Sequence, residues 1–187
     1  MPQGFKQPST RPDEGILSGN VVDVVRGEIF PGTVMVREGR IARVVRDGGT
    51  YRHFLIPGLV DAHVHVESSM LVPSEFARLA VVHGTTATVS DPHEIANVLG
   101  LDGVRFMIED GRRVPFKFHF GASPCVPATG FETAGARLDL EEIEALLDMP
   151  EVLYLSEAMN YPGVIARDPE VMDKIEAARR RGKPVDG

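Results

Sequence analysis

Pro57-Gly58-Leu59-Val60-Asp61-Ala62-His63-Val64-His65 decides how the chain is read. Leu55 to Asp61 is an apolar run that suits a buried parallel strand. Alternate side chains of an extended strand share a face, so His63 and His65 point to the same side. Two imidazoles on one face at a strand end can chelate a divalent metal ion. A His-x-His pair alone is equally well read as two solvated or hydrogen-bonded histidines. The preceding Ile56 to Asp61 and the strand-end position favour the metal.

Downstream, strands and helices alternate. Pro73 to Val82 has Phe76, Leu79 and Ala80 at helical spacing, with proline at the start. Thr86 to Ser90 is β-rich, and helical patterns follow over Glu94–Leu99 and Val104–Glu109. Phe116 to Phe120 reads as the next strand, and Val152 to Leu155 as another. Asp139 with Glu142 forms a capping box for a helix reaching Asp148. Asp168-Pro169 opens a helix that ends near Gly182, and Pro184-Val185 begins a fifth strand. Such alternation implies a parallel sheet with right-handed crossovers, either doubly wound or a (β/α)8 barrel.

The polar clusters choose the barrel. His63-Val64-His65, Asp91-Pro92-His93-Glu94, Ser123-Pro124-Cys125 and Glu157 each follow a successive strand. Barrel enzymes place catalytic groups at these ends because the loops there share one mouth. Glu157 could complete or bridge a metal site with His63 and His65. Asp91, His93 and Glu94 either line the pocket or hold an auxiliary metal, or they cap the next helix; the sequence leaves these readings open. Glu67 and Ser68 are expected to face the mouth, Glu67 as a second catalytic candidate, although a strand-to-helix turn also explains them. Ser123 and Cys125 fall in a candidate substrate loop, with a buried inert thiol the simpler reading of Cys125. His83 and His119 read as structural, and His53 sits in a linker.

Upstream, residues 15–54 hold short β-branched runs broken by glycine-bearing turns: Val21–Val25, Thr33–Val36 and Ile41–Val45. These predict a small antiparallel sheet, half of a sandwich. Residues 1–14 are polar and read as a flexible tail without a signal peptide, and 55–187 as the first half of the barrel. With 43% hydrophobic residues the chain can bury a core. A net charge of -7 argues against nucleic-acid binding, and no apolar run is long enough to span a membrane. One cysteine in the chain fits a reducing cytoplasm.

The nonapeptide quoted above resembles the hallmark of the amidohydrolase superfamily. Its continuation Val66-Glu67-Ser68-Ser69-Met70, then His83-Gly84-Thr85-Thr86 and Asp91 to Gly100, is similar to the adenine deaminase family in particular. Cys125-Val126-Pro127-Ala128-Thr129, Phe131-Glu132-Thr133 and Met159 to Val164 fit the same family. The resemblance implies a TIM-type metal-dependent hydrolase barrel with a β-sandwich built from both chain ends. It implies a two-ion centre of iron or manganese, with zinc an alternative, in which His63 and His65 hold one ion and Glu157 bridges. The implied reaction, in purine metabolism, is hydrolytic deamination of adenine to hypoxanthine and ammonia.

A complete barrel of this type takes about 250 residues, against roughly 130 here. In the family, Lys183 to Gly187 leads into a histidine of the metal site, so the expectation is of a chain that stops before its centre is complete and is a poor catalyst alone. The alternatives are another cyclic-amide amidohydrolase of dihydroorotase or hydantoinase type, or a non-catalytic half barrel serving as an assembly module. The Glu157 and Asp91–Gly100 blocks count against the former. A half barrel exposes a strand edge and an apolar face, which predicts self-association into a homo-oligomer.

Overall fold

β-Branched runs separated by tight turns give the first unit its sheet. The computed structural model describes residues 14–187, so all but the last residue of the expected tail lies outside the described residues. Strands β1 (Glu14–Asp23), β2 (Glu28–Arg37) and β3 (Arg40–Arg46) pair antiparallel. A short β4 (Phe54–Leu55) lies parallel to β1, giving the order β3-β2-β1-β4. Val21, Phe30 and Val34 form its small core, with Leu55 against them. The β1–β2 turn begins earlier than the run Val21–Val25 suggests. Asp23 accepts backbone N–H bonds from Val25 and Arg26 through Oδ1, an Asx-type turn that takes Val24 and Val25 out of the strand.

The apolar run from Leu55 to Asp61 is not one strand. Phe54 and Leu55 join the first sheet, and the next strand starts at Leu59. The chain divides into its two compact units between Pro57 and Gly58. Proline and glycine between the two strands supply the break that the apolar run conceals.

The second unit is a four-stranded parallel sheet in sequence order: β5 (Leu59–Val64), β6 (Thr85–Ser90), β7 (Lys117–Ala122) and β8 (Val152–Leu155). A 3-10 turn (Val66–Ser69) and α1 (Pro73–Val81) link the first pair, and α2 (His93–Gly111) the second. Helix α3 (Leu140–Leu147) precedes β8, with α4 (Tyr161–Ala166) and α5 (Pro169–Arg180) after it. The capping box at Asp139 forms as expected, with Glu142 reaching back to the Asp139 N–H. The two helical patterns expected after Asp91 are one helix broken at Gly100, whose φ of 58° suits only glycine. Residues 184–186 run parallel beside β8, exchanging backbone hydrogen bonds with Leu155.

The core lies where helices cover this sheet: Val104, Met107 and Ile108 of α2, Ile143, Leu146 and Leu147 of α3, and Ile175 and Ala178 of α5 pack with Phe120, Val152 and Leu155. No helix of the described residues is long and apolar enough to cross a membrane. One cation breaks the apolar pattern. Lys174 is buried, and its ammonium donates to the carbonyls of Pro124 and Leu138, each at 2.7 Å. Burial pushes that ammonium below its ordinary range, while Glu170, 3.9 Å away, supports its charge. The lysine thereby ties both ends of the 124–138 loop to α5.

Replacing Lys174 by methionine keeps much of the volume but leaves both buried carbonyls without donors, at a cost of about 1–3 kcal/mol each. The urea unfolding midpoint of Lys174→Met should fall accordingly. An unchanged midpoint would show that the loop is held by other contacts.

Candidate metal centre

Strand direction and chain order bring the polar strand ends together. His63 lies in β5 and His65 one residue beyond it, with both rings on the same side and their centroids 5.1 Å apart. Their Nε2 atoms are 3.1 Å from each other. Glu157, two residues past β8, meets them with separate oxygens: Oε1 is 3.1 Å from His63 Nε2, and Oε2 is 3.5 Å from His65 Nε2.

The far ring nitrogens orient the pair. His65 Nδ1 is 2.9 Å from Glu94 Oε2, so Nδ1 carries the proton and donates it to Glu94 as a hydrogen bond, leaving the Nε2 lone pair facing Glu157. Asp186 Oδ2 stands 3.8 Å from His63 Nδ1, a looser version of the same arrangement. Burial alone would lower the His65 pKa, but the carboxylates of Glu94, Asp91 and Glu157 outweigh it and hold the imidazole above its ordinary value.

These donors fit a divalent transition ion. Ligand atoms about 2.0–2.1 Å from a tetrahedral ion lie roughly 3.3 Å from one another. The three ligand atoms of His63, His65 and Glu157 lie within 4.8 Å of one another, with two of their separations at 3.1 Å.

Behind them lies a polar layer. Asp91 is fully buried; its Oδ1 accepts from the Ser123 hydroxyl, and Ser156 Oγ is 3.5 Å from Ser123 Oγ. Burial pushes the Asp91 carboxyl above its ordinary range, against the two serines, which favour the anion. Thr88 and Ser90 of β6 bond each other at 2.7 Å, both buried. Tyr154 of β8 keeps its hydroxyl buried without a partner, and burial with nearby Asp91, Asp186 and Glu157 pushes that phenol above its ordinary range. Gly121 makes room for this layer: a Cβ there would stand 2.6 Å from that of Ser156 and 2.8 Å from the Tyr154 ring.

The remaining expected site residues go different ways. Asp91, His93 and Glu94 do not cap α2: its N-cap is Pro92, with no side-chain cap bond. Instead Asp91 turns to Ser123 and Glu94 to His65. The cap comes from Glu67, whose Oε1 accepts the Ile95 N–H at 3.1 Å, so it helps close the start of α2 and does not join the His63–His65–Glu157 set. Ser68 is exposed on the 3-10 turn. Ser123 is buried and committed to Asp91 rather than open to a substrate. Cys125 is buried beside a separate cleft of about 330 Å³ that Lys174 also lines. His53 Nε2 donates to the Ser18 carbonyl, 2.7 Å away, within the first unit. Reading the sequence missed Asp186, Ser156, Tyr154 and Lys174. Lys174 did carry a signal, since it interrupts an apolar α5 stripe of Val171, Ile175 and Ala178.

Residues 54–187 match the amidohydrolase family. The adenine deaminase of Sulfurovum sp. (strain NBC37-1) is 58% identical over 171 residues, which cover 91% of this chain and 32% of that protein. The adenine deaminase of Salinibacter ruber is 58% identical over 171 residues, covering 91% and 31%. The chain thus spans about a third of the length of these curated relatives. Among solved structures, the L-hydantoinase (dihydropyrimidinase) from Arthrobacter aurescens aligns with a TM-score of 0.50 at 18% identity, covering 74% of this chain and 32% of that one. This second likeness is one of fold: the sheet of the second unit is built as the first strands of a (β/α) hydrolase barrel.

With metal stripped, the His65 imidazole should titrate above about 6.5 in an NMR pH series, and Glu94→Gln should lower it. Because the folded pKa is the raised one, the stability from these ion pairs is full below the unfolded value and is lost as pH rises through the folded value. A His65 midpoint that is not raised, or that ignores Glu94→Gln, would contradict the arrangement.

Proposed function

The chain belongs to the amidohydrolase family, and we propose that it supplies the metal-binding strands of an enzyme that hydrolytically deaminates adenine to hypoxanthine and ammonia. The observation that carries this reading is the meeting of His63, His65 and Glu157, in a chain 58% identical to adenine deaminases over 171 residues. His63 and His65 would hold one ion, with Glu157 available to bridge to another. The mixed imidazole and carboxylate set suits manganese or iron, with zinc an alternative. Such an ion, when bound, supplies an activated water nucleophile and stabilises negative charge developing as water adds at C6 of adenine.

The chain's own residues contribute positioning. Glu94 fixes the His65 tautomer and Asp186 stands behind His63, so both Nε2 lone pairs face Glu157. Ser123, itself bonded by the Ser156 hydroxyl, holds Asp91 through one carboxylate oxygen. Loop 124–138, tied by Lys174 and carrying Cys125, is the element we assign to substrate contact, with Ser68 of the 3-10 turn as a further candidate. A small purine as substrate, a cytoplasmic setting for the lone cysteine and a homo-oligomer complete the reading.

The test exchanges the matching segment of the Sulfurovum adenine deaminase for this chain, so that the rest of that relative is present. The chimera, loaded with manganese, should release ammonia from adenine at an ordinary enzymatic rate, on the order of 1–10³ per second. His63→Ala or Glu157→Gln should cost several kcal/mol of barrier lowering, roughly 10²-fold or more. A folded, metal-loaded chimera without activity on adenine would overturn the assignment.

A further inference from the structure

Helix α2 starts without a cap from its own sequence. Its N-cap is Pro92, which has no side-chain oxygen to offer. The first turn of a helix leaves backbone N–H groups without intrahelical acceptors. Here the Ile95 N–H meets Glu67 Oε1 at 3.1 Å, from 28 positions away in the sequence. The carboxylate comes from a firm base. In the 3-10 turn Val66–Ser69, the Ser69 hydroxyl donates to the Val66 carbonyl at 2.6 Å, and the Met70 N–H to the Glu67 carbonyl at 2.8 Å. Val66 itself is packed in the core. The second carboxylate oxygen, Oε2, is buried without a partner. A bare buried oxygen costs stability, so folding alone gives little reason for a carboxylate at this place.

The residue before Ile95 is Glu94, which meets His65 Nδ1 at 2.9 Å. The Glu94 side chain is half exposed, and among the described residues His65 is its only hydrogen-bond partner. Where Glu94 points is set by its backbone, and so by the first turn of α2. That turn belongs to a short block, residues 93–99, which ends at the Gly100 break. At the far end of the block the Asn97 carbonyl accepts the N–H groups of Gly135 and Ala136, at 2.8 and 3.1 Å. In its middle Ala96 is buried in the core. Glu67 is the side chain that fastens the end carrying Glu94.

We propose that Glu67 is a positioning residue: by seating the first turn of α2, it aims Glu94 at His65 and so fixes which imidazole nitrogen faces Glu157. The role needs an acceptor at Oε1, not a negative charge, because Ile95 offers a neutral N–H. Glutamine keeps that acceptor, and methionine, of similar length, does not. The inference deepens the metal-centre reading above and rests on it for its purpose, while the contacts that carry it involve no ion.

The experiment reads the His65 tautomer from the nitrogen-15 shifts of its ring in the metal-free 187-residue chain, at a pH where the imidazole is neutral. Circular dichroism is the folding control. The intact chain and Glu67→Gln should both keep the proton on Nδ1. Folded Glu67→Met should lose that preference and show a mixture of tautomers. Manganese affinity, followed by electron paramagnetic resonance, should fall in Glu67→Met by roughly 10-fold, the low end for an outer-shell contact. In a Glu94→Ala background the same substitution should cost no further affinity, because the two residues act in series. If Glu67→Met does not fold, Glu67→Ala, which also lacks the acceptor, takes its place. An unchanged Nδ1 tautomer in the folded variant would overturn the proposal, and so would Glu67→Gln behaving like Glu67→Met. If the tautomers behave as expected but the intact chain binds no manganese, the metal reading falls and the positioning role stands.

Discussion

Glu157 touching both His63 and His65 is the contact on which the mouth of the sheet depends. Strands β5 and β8 are not neighbours; β6 and β7 lie between them. Three strand spacings of about 4.8 Å would hold them roughly 14 Å apart in a flat sheet, with side chains standing off in parallel. Contacts of 3.1 and 3.5 Å therefore fit a sheet that curls as the first strands of a barrel do. The donor set thus follows from the curvature of a barrel, and three residues far apart in sequence form one site.

A second constraint is electrostatic. Two Nε2 lone pairs 3.1 Å apart cannot both be bare, so a proton or a cation must lie between them or on one of them. Glu94, Asp91 and Glu157 place negative charge around the pair and make either occupant favourable. With Glu94 fixing which nitrogen of His65 carries hydrogen, the occupant is steered to the face shared with Glu157. The packed helices on the other face keep the strand ends in register. The Phe120, Val152 and Leu155 side chains locate β7 and β8 against α2, α3 and α5, and Gly121 admits Ser156 and Tyr154 beneath the mouth.

The sequence shows the strand-end logic because polarity changes abruptly at His63, Asp91, Ser123 and Glu157, each after a β-rich run. It shows the helices of the second unit through caps and spacing, as at Asp139 and Asp168. It does not reveal that Leu55 pairs with Val21, since apolar periodicity carries no record of which sheet a residue joins. Nor does it say what Asp91 bonds to. Its partner Ser123 is 32 positions away, and only the register of β6 against β7 brings the two together. Glu67 shows the same limit: the sequence places a carboxylate beside the histidines but does not say that one of its oxygens accepts the Ile95 N–H at the first turn of α2.

The central claim is that the curled sheet makes His63, His65 and Glu157 a metal position. Anomalous scattering from crystals of the chain grown with manganese tests it most directly, because it locates the ion without assuming any ligand. A strong peak is expected among the Nε2 atoms of His63 and His65 and the carboxylate of Glu157. Well-ordered strand ends with no peak there would contradict it.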